Sequence, residues 1–277
     1  MCPWGGRLLS GARGSRWFGH MVCHCLLVET RAGLVLVDTG IGALAEERLG
    51  RQLGRAFRAL ARPRLDPEET ALAQVLALGF EVGDVRHLVV THLDVDHAGG
   101  LADFPEAEVH VHAAELSGAL ERRSRQDRLR YQPRQWAHGA RWRTHEVDGE
   151  TWFGFDAVRA LPGADDEVLL IPLGGHSHGH CGVAVRAGEG WILHAGDAYF
   201  YPDEIHAAAP RCPPILSRFQ RGVAVDDALR RANQGRLREL VATHGDEVRV
   251  ISAHSVDELE RCRAAAVPSS PTLESAP

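Results

Sequence analysis

The run Thr91-His92-Leu93-Asp94-Val95-Asp96-His97 carries four side chains able to bind a cation within six positions. Alternation along extended backbone predicts that His92, Asp94 and Asp96 face one way while Leu93 and Val95 turn to the core, with His97 following as the chain bends. Imidazoles and carboxylates crowded in this way repel or desolvate one another unless a cation holds them. The whole run, followed by Ala98-Gly99-Gly100, reads as a metal-binding loop rather than as solvated loop residues. A bound cation can generate a hydroxide nucleophile from water at neutral pH. No convincing Ser or Cys nucleophile of the Gly-x-Ser-x-Gly kind competes for that role.

The elements around this loop alternate between strand and helix. Two strands, Val22 to Glu29 and Leu34 to Asp38, are joined by a turn at Arg31 to Gly33, and Asp38-Thr39-Gly40 closes the second. A helical pattern covers Ala43 to Ala61. Another opens on Asp66, with Pro67 at the first helical position and Glu69 three residues on, and runs to Gly79. Strand Arg86 to Thr91 empties into the polar loop, strand Ala107 to His112 follows, and Ala113 to Arg130 reads as helix. Short strands are predicted at Phe155 to Leu161, Val168 to Pro172, Gly182 to Arg186 and Trp191 to Ala195. Helix Val223 to Val241, strand Val248 to Ala253 and helix Val256 to Ala266 complete the pattern. Each half contains an apolar strand ending on His, at His92 and at His254. The pattern predicts an α/β chain of two similar halves packed sheet to sheet, with one site at their junction.

At 277 residues the chain can bury a sizeable core without staples, and 44% hydrophobic with 25% charged residues is a globular composition. The net charge of −6 gives no case for nucleic acid as a partner, although the Arg-rich, aromatic-laced segment Glu121 to Arg143 has the composition of a binding stripe. Six scattered Cys suggest a reducing cytoplasm, and no apolar run is long enough to span a membrane. Cys23 and Cys25 share one face of a strand and read as buried small hydrophobes. His24, His110 and His112 lack companions in the sequence and read as packing or surface residues. Sixteen His in all is a high count that the loop only begins to explain.

Five segments, in order, resemble the metallo-β-lactamase-fold metallohydrolases. The loop is similar to their His-x-His-x-Asp-His motif, with Asp94 at the second His. Leu34 to Gly40 resembles the Asp-Thr-Gly corner, and Gly175-His176-Ser177-His178-Gly179-His180 the Gly-His loop. His194-Ala195-Gly196-Asp197 resembles the Gly-Asp motif, and Ala253-His254 the closing His. The resemblance implies a four-layer αββα sandwich, two mixed sheets flanked by helices, forming one domain over residues 1–267 with a disordered tail at 268–277. It also implies two divalent metal ions: His92, Asp94 and His176 for the first, Asp96, His97 and His254 for the second, and Asp197 bridging both.

Zinc is the leading metal, but carboxylate at Asp94 hardens the first site towards iron or manganese. By the same resemblance Asp38 supports a ligand, unless it is simply a turn acid, and Thr91 buttresses the loop. His180 orients a ligand or contacts substrate, and His178 sits on the rim. Tyr199 is an oxyanion donor, with Tyr201 an equal candidate. Segments 115–147 and 199–222 are expected as lids that set substrate choice. The implied activity is hydrolysis of an ester, lactone or related acyl bond of a small molecule by metal-bound hydroxide, with Asp96 passing a proton to the leaving oxygen. The alternatives are a di-iron oxidoreductase of the flavodiiron type, suggested by Asp94, and a non-catalytic metal-binding module. Lid aromatics would suit a homodimer, and no membrane partner is expected.

Overall fold

The computed structural model describes residues 1–11, 15–31, 33–43, 55–146, 150–160 and 168–266. Two mixed sheets form its centre. The first takes strands β1 (Leu26–Thr30), β2 (Gly33–Val37), β3 (Val85–Val89), β4 (Glu108–His112) and β5 (Arg141–His145) in that order. Only the β1–β2 hairpin is antiparallel; the other neighbours are parallel. The second sheet runs β11 (Val248–Ile251), β10 (Gly190–His194), β9 (Cys181–Ala187), β8 (Val168–Pro172), β7 (Phe155–Ala160) and β6 (Glu150–Trp152). Here only β10 and β11 pair in parallel.

Three apolar layers hold the four structural layers together. Between the sheets, Val35, Val37 and Val89 meet Val168, Leu170, Val183 and Val185. Outside the first sheet, Leu36, Leu88 and Val109 pack with Val75, Leu116 and Ala119 of the helices Ala71–Ala77 and Ala113–Glu121. Outside the second, Leu193 and Val250 pack with Leu237 and Leu240 of the helix Asp227–His244. Strands buried on both faces need near-continuous apolar runs, which is why Leu34-Val35-Leu36-Val37 and Leu88-Val89-Val90 were readable as strands. The architecture is the expected αββα sandwich.

Several local expectations change. The first strand starts at Leu26, so Cys23 and Cys25 precede it, and burial pushes the Cys23 thiol up to about 12. Residues 44–54 of the expected early helix lie outside the described residues, as does the expected tail; Arg55–Ala61 is helical. Asp66 caps only a 3₁₀ turn, Pro67–Glu69, and Thr70 caps the helix after it. The expected helix at 113–130 breaks at Arg122, whose φ of 46° is left-handed, and restarts at Arg125 under a Ser124–Asp127 capping box. Ser, with Asp three residues on, was a readable restart signal. The helix expected from Val223 starts only at Asp227, capped by Asp226, and runs to His244, while Val223 ends a separate helix, Pro214–Val223.

The proposed lid at 115–147 is largely framework. Leu116, Ala119 and Tyr131 are core residues, and Arg141–His145 is the edge strand of the first sheet. Its exposed Arg alternation concealed that strand. In the other expected lid, 199–222, Phe200 and Leu216 pack with Leu9 and Met21 of the N-terminal segment.

The loop His92 to Gly100 is clamped to the Asp-Thr-Gly corner. Thr39 donates through its hydroxyl to the His97 carbonyl at 2.9 Å and accepts from the Gly100 N–H at 3.0 Å, and the Gly99 N–H donates to the Gly40 carbonyl. A Cβ at Gly99 would sit 2.3 Å from the Ile41 oxygen and 2.4 Å from that of Val95. Both obstacles are backbone, so Gly99→Ala should destabilise the protein by about 3 kcal/mol. Urea denaturation of the purified variant checks this, and an unchanged midpoint would show that the corner yields.

Candidate metal centre

Strand β3 ends at Val89, and the chain carries Thr91 and His92 to the edge of the paired sheets. The following residues do not continue as extended chain. Asp94 opens a one-turn helix, Val95–Ala98, accepting from the His97 and Ala98 N–H groups through its carbonyl. Asp96 and His97 therefore reach the site by helical turn rather than by strand alternation. The inward placement of Leu93 and Val95 is as expected, at 0% and 5% exposure.

Seven side chains converge there in two groups: His92, Asp94, His176 and Asp197, and beside them Asp96, His97 and His254. Asp197 faces both. Its Oδ2 lies 3.4 Å from His176 Nε2 and 3.8 Å from His92 Nε2, while its Oδ1 lies 3.2 Å from His97 Nε2 and 3.1 Å from His254 Nε2. Asp94 Oδ2 adds to the first group at 3.4 Å from His92 and 3.1 Å from His176. Asp96 Oδ2 adds to the second at 3.7 Å from His254.

Three imidazoles are turned inward by bonds on their outer nitrogens. His97 Nδ1 meets Asp38 at 2.7 Å, His92 Nδ1 meets the Thr91 hydroxyl at 3.0 Å, and His254 Nδ1 donates to the Val22 carbonyl at 2.8 Å. The buried His92 Nε2, His97 Nε2 and Asp197 Oδ1 then have no hydrogen-bond partner. Such orphaned lone pairs, pointed at one another in a buried cluster, fit divalent cations. Burial alone would raise the Asp197 carboxyl, but His254, His97 and His176 hold it well below the usual range. Against the penalty of burial, Asp197 and Asp38 raise His97 well above an ordinary histidine. Cations taking these positions would displace protons.

The sequence model of the metallo-beta-lactamase superfamily matches residues 19–254. The chain belongs to this superfamily. A probable metallo-hydrolase of Mycobacterium tuberculosis is 42% identical over 246 residues, covering 88% of this chain and 77% of that protein. An N-acyl homoserine lactonase of Bacillus thuringiensis is 32% identical over 98 residues, 35% of this chain and 39% of its own. Among solved structures, an N-acyl homoserine lactone hydrolase with N-hexanoyl-L-homoserine at its catalytic metal centre superposes with a TM-score of 0.68 at 22% identity. That match covers 95% of this chain and 92% of the other. The dizinc quorum-quenching lactonase AidC gives 0.54 at 16% identity, over 92% and 84%. At these identities the structural matches establish the superfamily fold.

Within that fold, the remaining candidates have definite partners. Asp38, with a left-handed φ of 55°, accepts from the Thr91 N–H at 2.8 Å and from its hydroxyl as well as from His97, so it supports the loop rather than merely closing a turn. His180 is fully engaged: one ring nitrogen meets the Leu173 carbonyl at 2.8 Å and the other accepts from the Asp197 N–H at 2.9 Å. It positions Asp197 and has no nitrogen left for substrate. A Cβ on Gly196 would fall 2.6 Å from that ring. His178 bonds Asp127 at 3.0 Å on the rim. Ser177 lies in a literal Gly-x-Ser-x-Gly string, but it is 1% exposed and its hydroxyl donates to Glu115 at 2.7 Å, so no nucleophile stands there.

Tyr199 does not serve as an oxyanion donor. Its hydroxyl is buried and donates to Glu258 at 2.9 Å within the core of the second half. Phe200 is the aromatic against the centre, with its ring 4.7 Å from that of His254 and 6.1 Å from that of His176. Tyr201 packs at the edge of the Leu9–Leu216 cluster.

Two residues that sequence reasoning missed hold the site together. Glu115, fully buried, accepts from the Leu93 N–H, the Ser177 hydroxyl and the Gly179 N–H, joining the two motif loops. An acid at the start of an amphipathic helix gave no sign of this. Arg130, among many Arg of the supposed lid, points inward. Its Nε lies 3.4 Å from Asp94 Oδ1, and its other nitrogens donate to the His176 and Val223 carbonyls. Burial would raise the Asp94 carboxyl, but Arg130, His92 and His176 keep it well below normal. Arg130→Met leaves that charge without its guanidinium. We expect a loss of about 3–5 kcal/mol in the chelated protein and a smaller loss in zinc-loaded protein, measured by urea denaturation in both states.

Proposed function

We propose that the protein is a dinuclear metal-dependent hydrolase acting on an ester, lactone or related acyl bond of a small molecule. The observation that carries this reading is Asp197, whose two carboxylate oxygens face separate imidazole groups in the way a bridging ligand requires. His92, Asp94 and His176 would hold the first ion, and Asp96, His97 and His254 the second. Two divalent cations, when bound, lower the pKa of a shared water and polarise a carbonyl. Zinc suits the imidazole-rich set, with manganese or iron as the alternatives.

The chain's own groups do the remaining work. Asp38 and Thr91 fix the ring orientation of His97 and His92, and His180 holds the Asp197 backbone. Asp96 is the group we assign to carry a proton to the leaving oxygen, since it meets His254 only loosely at 3.7 Å whereas Asp38 and Asp94 are tied by short bonds. Phe200 covers the His254 side and helps exclude water. Neither Tyr199, which donates to Glu258, nor Tyr201, at the edge of the Leu9–Leu216 cluster, would supply a hydroxyl to the carbonyl.

The lactonase relatives favour a cyclic or acyclic acyl ester over a phosphoester. The di-iron alternative rests on the hard carboxylate of Asp94; Arg130 offsets its charge but not its hardness, so iron and manganese stay the alternatives to zinc at the first group. Among the described residues no helix is long and apolar enough to cross a membrane, and we place the reaction in the cytoplasm, where the unpaired Cys suit a reducing medium.

Zinc-loaded protein should hydrolyse members of an ester and lactone panel, followed by pH-stat. His92→Ala and Asp197→Asn should abolish turnover and lower bound metal, and Asp38→Asn should reduce activity or metal affinity about 10–100-fold. Full metal loading without turnover across the panel, or unaltered turnover in Asp197→Asn, would overturn the assignment.

A further inference from the structure

His110 was expected to be an unaccompanied packing histidine, and it is not. It is 1% exposed, and both its ring nitrogens are occupied by other histidines: His87 Nδ1 lies 3.0 Å from His110 Nε2, and His145 Nε2 lies 2.9 Å from His110 Nδ1. The three rings form a ladder across the parallel strands β3, β4 and β5, with centroids 5.1 and 5.2 Å apart. Glu108 enters the same group because it is two residues before His110, on the same face of β4, and is the register partner of His87. Its Oε2 lies 3.9 Å from His87 Nδ1, while Oε1 is held by Arg143 at 2.5 Å.

We propose that His87, Glu108 and His110 form a further, mononuclear site for a borderline divalent cation such as zinc, separate from the centre around Asp197. One ring nitrogen of each histidine and a carboxylate oxygen of Glu108 lie within 4.8 Å of one another. Two nitrogens bound to one tetrahedral zinc stand roughly 3.3 Å apart, so His87 and His110 need to part by only a few tenths of an ångström. Two neutral imidazoles and one carboxylate suit zinc and its neighbours better than calcium or magnesium. Burial pushes His87 down and His110 down to about 3, so both are neutral with a lone pair to offer at physiological pH.

Of the two tautomeric arrangements the ladder allows, one has His110 donating through Nδ1 to His145. That arrangement leaves His110 Nε2 as a bare lone pair aimed at the site, the usual way an outer partner orients a ligating histidine. The proton on His87 Nδ1, which otherwise bonds His110, then moves to the ring's other nitrogen or to water as the cation enters. Side chains of His87 and Glu108 are 14% and 23% exposed, so the site opens to solvent, which can supply both the cation and a fourth, water ligand. A cation there would tie β3 to β4 at the point where β3 leads into the catalytic loop.

The test is zinc content after equilibration at micromolar free zinc and desalting, in wild type, His87→Gln and Glu108→Gln. Both substitutions alter partly exposed side chains, and circular dichroism checks their fold. Each variant should hold one zinc fewer per chain than wild type while retaining hydrolytic rate, whatever number the Asp197 centre takes. His145→Ala should weaken the extra site about 10–100-fold. Equal zinc content in wild type and both folded variants overturns the proposal. Loss of zinc from Asp197→Asn reports on the other centre, so failure of one reading is distinguishable from failure of the other.

Discussion

Asp197 is the constraint around which the molecule is arranged. A carboxylate 3% exposed and surrounded by four imidazole nitrogens is tolerable only if each oxygen has a defined set of partners. Those partners come from different parts of the chain: the loop after β3, the loop before β9 and the turn after β11. The two sheets must therefore pack with their edges in register before the cluster exists at all.

The supporting residues follow from that requirement. His180 holds the Asp197 N–H, Asp38 orients His97, and Glu115 ties Leu93 to Gly179 across the two motif loops. Arg130 answers the one irregular ligand position, where Asp94 brings a charge that a histidine would not. Carboxylate and guanidinium together present the first group with nearly the same net charge as a neutral imidazole. Asp94 in place of a histidine would thus alter the hardness of any ligand set it joins while leaving local charge almost unaltered. It also links the centre to the helix Arg125–Arg130 and, through the Val223 carbonyl, to the segment above the site.

Much of the strand framework was readable because doubly buried strands leave continuous apolar runs; Val168–Pro172 and the helix Val256–Ala266 have the bounds expected. Edge strands were not readable. Arg141–His145 alternates charged and aromatic residues like a solvated loop, and only its pairing with β4 makes it a strand. The loop was legible in composition and misread in conformation: Asp94 ends the extended chain and caps a helical turn, which the Thr39 hydroxyl then holds through the His97 carbonyl.

The sequence by itself determined the fold family through five ordered motifs, and the resemblance they carry named the His and Asp residues that converge, because local motifs survive in one dimension. Tertiary structure alone decided which neighbours those residues keep. Two adjacent aromatics, Tyr199 and Phe200, point to opposite surroundings, one into a core with Glu258 and the other against His254. Arg130 and Glu115 look like ordinary helix-surface residues until packing turns them inward. His87, His110 and His145 become a ladder only when three strands align. Each of these outcomes depends on contacts between residues far apart in the chain, which no local pattern encodes.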